Sequence, residues 1–588
     1  MPMTLSGNKL TVMGKPITIW QLGNTGLRNP MRIWDGLKLY AESPFNGKLR
    51  GDNEERFQTL LNHAGLVNST GDAEDTSSYA RKWRLMFSRF GFIYPQVKKK
   101  DGKQEDLGPQ DLVTPFGEAF LKADTYPAQQ ECFLRSLSLE QTKAPGDLGF
   151  FSPLRWILAV MLELEKRTGT SEISRIEFSL WGHTTDPSYD VNDVADHIID
   201  LRERRRKATA KRRFDAEEIK KRGQDYNRKP DNFTDYSDMN MRYLRISGIV
   251  QRKGRGLIIV PAKHFLAEKL AKTTSSRRPI MDVYKELCHG ASLPMDDLET
   301  AKALFLDTEA QLKKNHVYYD LSDRPMTTVP EINAARLHLE ELWQKTDEIN
   351  YAAKQPEQWR EISDYMTLLI KGGGKKIDDT DEDNGIEVPK DETPAYLEWV
   401  LWRAALAFGN LVNHPSDIRG FRLDSDFLPV SAAGGGQGDL YCEYDKFTIL
   451  TEVTMSRGSR QESMEGEPVR RHVSDAVLKY GKNNIPVYGL FIAIKIDTNT
   501  AETFRHGIWY AKDDVKQRLD ILPLTLAQFQ KCFIALFQSN ETAKHEKIKK
   551  LIETCEAQRD LMEAPEWKRY IEQAVEKSIY SNNSKNRT

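Results

Sequence analysis

The hydrophobic positions of this chain change period several times, and each change marks an element. Over residues 77 to 123 the run SSYARKWRLMFSRFGFIYPQVKKKDGK, followed by DLVTPFGEAFLKA, interleaves aromatic with basic residues. It reads as a helix, a β-hairpin and a second helix: Ser88 to Val97 as a strand, a turn over Lys98 to Lys103 around Asp101-Gly102, a return at Leu112 and Val113, and Thr114 capping the helix that follows. That order is a winged-helix pattern. A second such unit begins at Ser152, where PLRWILAVMLELEKRTGT predicts an apolar helix ending at Gly169 and ISRIEFSLWG a short second helix, as in a helix-turn-helix. Two β-runs, Tyr243 to Val250 and Leu257 to Val260, close this unit around Gln251 to Gly256 and predict a wing.

From Ser292 to Lys371 apolar residues recur at i, i+3 and i+4, which predicts a helical connector. The stretch KGGGKKIDDTDEDNGIEVPKDE then loses all periodicity and reads as a solvated boundary. Beyond it helix and strand alternate: helix AYLEWVLWRAALAFG, a short strand near Gly420 to Leu423, strands Asp439 to Tyr444 and Phe447 to Thr454, helix Val469 to Tyr480 and strand Val487 to Ile496, before a last ~60 residues of amphipathic helix. The expected organisation is an α+β multidomain chain. Residues 1–150 and 151–291 form two winged-helix-like subdomains, 292–390 a helical linker, and 391–588 an α/β domain.

Composition narrows this picture only in part. The 85 Lys and Arg against 86 Asp and Glu leave a formal net charge of −1, so any site for a polyanion must be local. One stretch qualifies: Arg202 to Lys229 holds 13 basic residues against 5 acidic ones. Arg204, Arg205, Arg206, Lys211, Arg212 and Arg213 there, with Arg252, Lys253 and Arg255 at the wing, are the candidate contacts to double-stranded DNA, although charge runs are more often plain solvated helix. Five cysteines without a C-x-x-C pair suit neither a disulfide framework nor a zinc site and fit a reducing cytoplasm. The N-terminus lacks the apolar run of a signal peptide, and no window reaches the ~18 apolar residues of a membrane helix.

The chemistry concentrates in GGGQGDLYCEYDKFTILTEVTMSRG, two β-rich runs around the turn pair Asp445-Lys446. A tight hairpin fixes register, and counting outward from this turn sets Asp439 opposite Glu452. Like charges so placed destabilise a sheet unless they are neutralised, and Mg²⁺ accepts one or two carboxylates plus neutral oxygens. Asp439 and Glu452, with the Val453 carbonyl as a further ligand, therefore form a candidate Mg²⁺ site for phosphodiester hydrolysis. Arg470 and Arg471, near the predicted start of a helix, are placed to clamp the scissile strand.

The spacing of Asp439 and Glu452, in the order helix, strands, helix, strand, resembles the PD-(D/E)XK nuclease superfamily. More of the stretch, PVSAAGGGQGDLYCEYDKFTILTEVTMSRGSRQESMEGEPVRRH, resembles the cleavage domain of the AlwI-type restriction and nicking endonucleases, and the upstream organisation is similar too. The resemblance implies an active centre of Glu398, Asp439, Glu452, Glu467 and His472. It implies a type IIS restriction endonuclease that binds a short asymmetric sequence and cuts at a displaced phosphate. Each such centre cuts one strand, so a transient homodimer or a small nuclease subunit is expected at a double-strand break. A strand-specific nicking enzyme, or the large subunit of a heterodimer, is the alternative; a non-cleaving winged-helix regulator is a further one. Two positions depart from the superfamily pattern: Gly438 stands where Pro usually precedes the first acid, and Thr454 where a Lys is expected. The missing Lys leaves His472, Glu467, Gln461 or Arg457 to act on the water.

Overall fold

The computed structural model describes the chain apart from residues 1–3, 7–8, 13–14, 17–18, 25–26, 68–77, 144–149, 184–189, 226–228, 274–277, 377–384, 435, 437, 482–484, 512–513, 540–541 and 585–588. It is a mixed α+β structure that divides into two compact units, Met1–Gln344 and Lys345–Lys376 with Gly385–Thr588. Among the described residues no helix is long and apolar enough to cross a membrane.

The first unit opens on an antiparallel ribbon, β1 (Thr4–Ser6), β2 (Lys9–Val12) and β3 (Lys15–Pro16). Helices α1 (Arg32–Glu42), α2 (Asp52–His63), α3 (Ser78–Arg89), α4 (Pro115–Lys122) and α5 (Tyr126–Leu139) follow, then the pair β4 (Thr142–Lys143) and β5 (Phe150–Phe151). The strand expected over Ser88 to Val97 does not form. Ala80, Trp83, Met86, Phe87 and Phe90 are buried at helical spacing, which carries α3 through Arg89 to Gly91 at φ +76°. Only a single bridge, Ile93 to Val113, remains of the hairpin. Thr114 does cap α4, its hydroxyl accepting from the Gly117 N–H at 2.9 Å.

Helix α6 (Pro153–Thr168) ends at Gly169 in the left-handed conformation, and α7 (Arg175–Glu177) starts in a capping box from Ser174 and runs on as a π-turn to Gly182. The basic stretch makes two helices, α8 (Val191–Lys207) and α9 (Lys211–Asp225); residues 226–228 of that stretch lie outside the described residues. Helix α10 (Pro230–Arg245) takes the first three residues of the run read as a strand from Tyr243, because Phe233, Asn240, Tyr243 and Leu244 are buried at helical spacing. The hairpin itself is β6 (Val250–Lys253) with β7 (Gly256–Ile259), turning at Gly254-Arg255. Ile173 bridges to Leu257 as a third, one-residue strand, and Gly256 lets it approach: a Cβ there would lie 2.1 Å from the Ile173 carbonyl oxygen. Helices α11 (His264–Ala271), α12 (Ile280–His289) and α13 (Leu298–Lys314) complete the unit, and α14 (Val329–Lys354) spans the division.

The second unit adds α15 (Trp359–Ile370) and the pair β8 (Gly374–Lys376) and β9 (Ile386–Val388), which brackets the acidic boundary; residues 377–384 of that boundary lie outside the described residues. Helix α16 (Thr393–Phe408) is apolar on nearly all sides and is buried throughout. Its one cation, Arg403, meets side-chain oxygens of Gln355, Gln358 and Glu361 at 2.6 to 2.8 Å. After the short α17 (Pro415–Ile418) come β10 (Leu440–Tyr444), β11 (Phe447–Thr454), α18 (Gln461–Tyr480), β12 (Val487–Ala493), α19 (Thr498–His506), the hairpin β13 (Ile508–Tyr510) and β14 (Lys516–Arg518), β15 (Ile521–Thr525), α20 (Leu526–Gln538), α21 (Lys544–Glu556) and α22 (Ala564–Ser584). The strand expected near Gly420 to Leu423 is reduced to isolated bridges, Arg419 to Leu440 and Leu423 to Pro429.

The four-stranded sheet runs β10-β11-β12-β15, with β10 antiparallel to β11 and the others parallel. Burial on both faces explains the near-continuous apolar runs of β11 and β12. Residues of α16, α20, α21 and α22 build the core on one face, and residues of α18 and α19 the core on the other. Glu398 on α16 and His472 on α18 thus approach the same strand end from opposite faces.

Candidate active site

The β10–β11 hairpin has the register the turn predicts, Tyr444 facing Phe447 and Leu440 facing Thr451. One step further, where β10 has ended, Asp439 stands opposite Glu452. The Val453 N–H lies past the last residue of the β10 ladder and donates to Asp439 Oδ2 at 2.8 Å, so the acid's side chain finishes what the backbone leaves open. On its other edge Glu452 pairs with Phe491 of β12, which holds its backbone inside the sheet. This is the C-terminal end of the parallel strands, where open α/β sheets place their ligand sites.

Four carboxyl groups gather there. Glu398, 5% exposed, accepts from the Ala433 N–H at 2.7 Å, and burial with the charges of Asp439 and Glu452 pushes it well above the usual carboxylate range. Burial, then the charge of Glu452, raises Asp439 well above its ordinary value against the pull of the Val453 N–H. Burial and the charge of Glu465 push Glu452 up to about 8. Glu465, on α18, is itself raised by burial, and Thr454, the residue at the expected Lys position, lies near enough to offset part of that rise. Repulsion of this kind among buried acids is relieved by a proton or by a cation.

His472 closes the group. Its Nδ1 lies 2.8 Å from Glu452 Oε1, and burial together with the Arg471 charge holds the ring below its ordinary value, hence neutral at neutral pH. With Glu452 ionised, a neutral ring donates to it from Nδ1 and keeps an acceptor at Nε2. That Nε2 is buried and has no hydrogen-bond partner among the described residues. Beside it the backbone is bare: a Cβ on Gly438 would lie 3.0 Å from Glu452 Oε1 and 2.5 Å from Leu450 Cδ1. The Gly438 N–H, which a proline would lack, donates to the Tyr441 hydroxyl at 3.1 Å. Among the described residues no three His, Cys, Asp or Glu stand together with the spacing of an all-side-chain metal cage.

The family model of the AlwI restriction endonuclease matches residues 88–532, most of the chain. The chain belongs to the AlwI restriction endonuclease family. This AlwI-family chain is therefore a site-specific deoxyribonuclease and binds DNA. A solved structure, the small subunit of the heterodimeric restriction endonuclease R.BspD6I, is 27% identical, with 36% of this chain and 98% of that one covered and a TM-score of 0.28. No curated protein matches the chain.

The remaining expected site residues of this restriction endonuclease separate into two groups. Helix α18 starts at Gln461 rather than Val469 and carries Pro468 inside it, with its side of the helix open at the exposed Met464, whose carbonyl the proline leaves without its donor. The added turns place Gln461, Glu465, Val469, His472, Val473 and Ala476 on one stripe facing the sheet. Glu467 falls off the stripe: its side chain is 55% exposed and pairs with Arg471 at 3.0 Å on the solvent side. It does not join the other acids, and Glu465, which sequence reasoning missed, stands where it was expected. Gln461 is wholly buried, its amide donating to the Ser456 and Lys495 carbonyls and accepting from the Asp497 N–H, so both its donors are spent inside the protein. Arg457 is exposed in the loop after β11. Arg470 folds back on the Gly466 carbonyl and over the Trp509 ring, while Arg471 lies near enough to lower both Glu452 and His472.

In the first unit several basic-stretch arginines are tied to acids of the same two helices, α8 and α9. Arg204 meets Asp200 and Glu218, Arg205 meets the buried Asp215 at 2.8 Å, Arg206 meets Glu203 and Arg213 meets Glu217. Lys211 is half-buried and Arg212 exposed on α9. Arg252 turns its Nε to the Gly254 carbonyl; Lys253 is exposed and Arg255 half-buried at the hairpin turn.

Proposed function

We propose that this enzyme is a type IIS restriction endonuclease. In this reading it grips a short asymmetric sequence with winged-helix units of its N-terminal half and hydrolyses a displaced phosphodiester with Mg²⁺ in a PD-(D/E)XK nuclease domain. The observation that carries the reading is the gathering of Glu398, Asp439, Glu452 and Glu465 at one strand end, with His472 bonded to Glu452. The order α16, β10–β11, α18, β12 supports the nuclease assignment, and the order α6, Ile173, α7, α10, β6–β7 supports a winged helix over residues 151–291.

The donor set suits magnesium. Asp439 and Glu452 give two carboxylates, and the strand geometry that turns the Val453 N–H toward Asp439 turns its carbonyl to the same edge; the ion prefers such a set completed by water and phosphate oxygens, which needs no cage of three side chains. Bound there, it supplies the positive charge that lets both acids stay ionised and polarises the scissile phosphate. The protein's part is positional. Glu398 holds the Ala433 backbone and with it the loop leading to Asp439. Glu452 fixes the His472 ring through Nδ1, leaving Nε2 to take the proton that the attacking water loses. Thr454, at the position where a Lys was expected, and Glu465 near it orient that water.

Incubation of supercoiled plasmid with enzyme and Mg²⁺ tests this. Linear product with ends at a fixed offset from one sequence is expected, and Asp439→Ala and Glu452→Ala should abolish it while leaving DNA binding intact. Persistent open circles would instead identify a nicking enzyme or the large subunit of a heterodimer. Sequence-specific binding without any Mg²⁺-dependent cleavage would overturn the reading in favour of a regulator.

A further inference from the structure

Helix α10 carries a second set of charged residues, apart from the arginine pairs of α8 and α9. It is the last helix before the β6–β7 hairpin and packs against both strands. Its inward positions are committed: the Asn240 side chain accepts from the Leu22 N–H and donates to the Trp20 carbonyl at 2.8 Å each, and Tyr243 donates to the Leu27 carbonyl. The positions left over, Asp235, Asp238, Arg242 and Arg245, recur at three and four and form one partly exposed stripe. Arg28 comes to this stripe from the N-terminal segment, 3.5 Å from Asp235, and Arg242 lies 3.2 Å from Asp238. Burial favours the proton on Asp238, but the charges of Arg242, Arg175, Arg28 and Arg245 outweigh it and hold the acid at about 2, with 35% of its side chain still exposed.

A carboxylate on a DNA-facing surface repels phosphate and contributes nothing to general grip. Paired with Arg242 and within reach of the charges of Arg175, Arg28 and Arg245, it stays ionised and can only accept hydrogen bonds. In the major groove the partner suited to an acid is the exocyclic amine of cytosine. We propose that the outward stripe of α10 reads the recognition sequence, with Asp238 accepting from a cytosine amine and Arg28, Arg175, Arg242 and Arg245 orienting it and meeting the flanking phosphates. This rests on residues 151–291 being a DNA-recognition subdomain.

The test uses the full-length enzyme on duplexes in which each base pair of its own cleaved site is varied in turn. Asp238→Asn should lose about tenfold or more of the discrimination at one C·G pair and gain adenine there, since an amide pairs with adenine. Discrimination elsewhere should hold. Asp238→Glu, which keeps the charge and moves it by one methylene, should weaken the same position and covers the case that the amide variant fails to fold. Unchanged discrimination, or a loss spread evenly over the site, overturns the assignment. The joint variant Arg252→Ala with Lys253→Ala separates the two levels: if it binds DNA more weakly while the Asp238 variants read the site normally, only the α10 assignment falls; if it too binds as the wild type does, the recognition subdomain falls with it.

Discussion

His472 Nδ1 lies 2.8 Å from Glu452 Oε1, while Nε2 of the same ring is buried without a partner among the described residues. An unmet buried polar atom costs about 1–3 kcal/mol, and this one adjoins a carboxylate cluster, where it is placed to take a proton. Removing the ring should therefore cost turnover, not grip. His472→Ala is expected to lower the single-turnover cleavage rate by roughly 10²–10⁴-fold with the affinity for cognate DNA unchanged, measured by quench-flow and by gel shift. A rate near that of the wild type would remove His472 from the proton path.

The bare backbone at Gly438 makes a second expectation. A methyl group there would lie 2.5 Å from Leu450 Cδ1, closer than real side chains come, and 3.0 Å from the Glu452 carboxylate, so Leu450 must shift and Glu452 is crowded. Gly438→Ala should fold and bind DNA yet need a higher Mg²⁺ concentration for half-maximal cleavage. Gly458→Ala, where a Cβ meets nothing within 4 Å, is the matching control and should leave the Mg²⁺ titration in place. Superimposable titrations for the two variants would show that the space beside Glu452 is not needed.

What the sequence made legible follows from how locally each feature is determined. The facing of Asp439 and Glu452 could be counted out because a two-residue turn leaves β10 and β11 one register. Glu465 could not, because Pro468 reads as a helix boundary and hides the two turns before it; with those turns included, its spacing of seven from His472 puts both on one face. The runs at Ser88 and Tyr243 were misread for a related reason. Aromatic and β-branched residues suit a strand by composition, but Phe87 and Tyr243 bury themselves at helical spacing, and tertiary burial overrides the local preference. Nor could charge counting show that Arg204 and Arg205 of α8 answer acids of α9 and that Arg213 answers one on its own helix.

Gln461 was a candidate to act on the water, and its surroundings argue for a structural role. Its three hydrogen bonds tie the loop after β11 to the end of β12, all from a side chain without exposure. Gln461→Ala leaves buried backbone groups unmet and should destabilise the enzyme by about 2–4 kcal/mol, seen as a lowered Tm. The fraction that remains folded in the cold should still cut. A variant of normal Tm that binds DNA and cannot cut would return Gln461 to the chemistry.

The first unit should weaken in mild acid through His183. This ring is fully buried among Trp20, Phe178 and Phe233, and burial brings it to about 3, partly offset by the Ser179 backbone and helped by the Arg222 charge. An unfolded histidine titrates near 6.5, so between the two values the unfolded chain holds the extra proton. The stability is present above pH ~6.5 and is lost as pH falls toward 3, at about 1.4 kcal/mol per pH unit. His183→Phe keeps the aromatic packing and removes the proton, so its melting temperature should fall less than that of the wild type between pH 7 and pH 5. Parallel curves would show that His183 does not control the acid limb.

The α8–α9 pair offers a last contrast, between an arginine that holds the fold and one that meets the solvent. Arg205 binds the nearly inaccessible Asp215, and taking away one partner of a buried pair leaves the other charge uncompensated, at a cost of about 3–5 kcal/mol. Arg213 pairs with Glu217 with 82% of its side chain exposed, where an ion pair contributes about 0–1 kcal/mol. Arg205→Ala should therefore lower the Tm sharply and leave the salt dependence of DNA binding nearly unchanged in the folded fraction. Arg213→Ala should leave the Tm alone and, if its guanidinium meets a phosphate, flatten the plot of log K against log salt by about 0.9. Measuring both quantities on both variants separates the roles: a flattened salt slope for Arg205→Ala would mean that its bond to Asp215 opens when DNA binds, and the basic stretch would then act as a whole rather than through its outer residues.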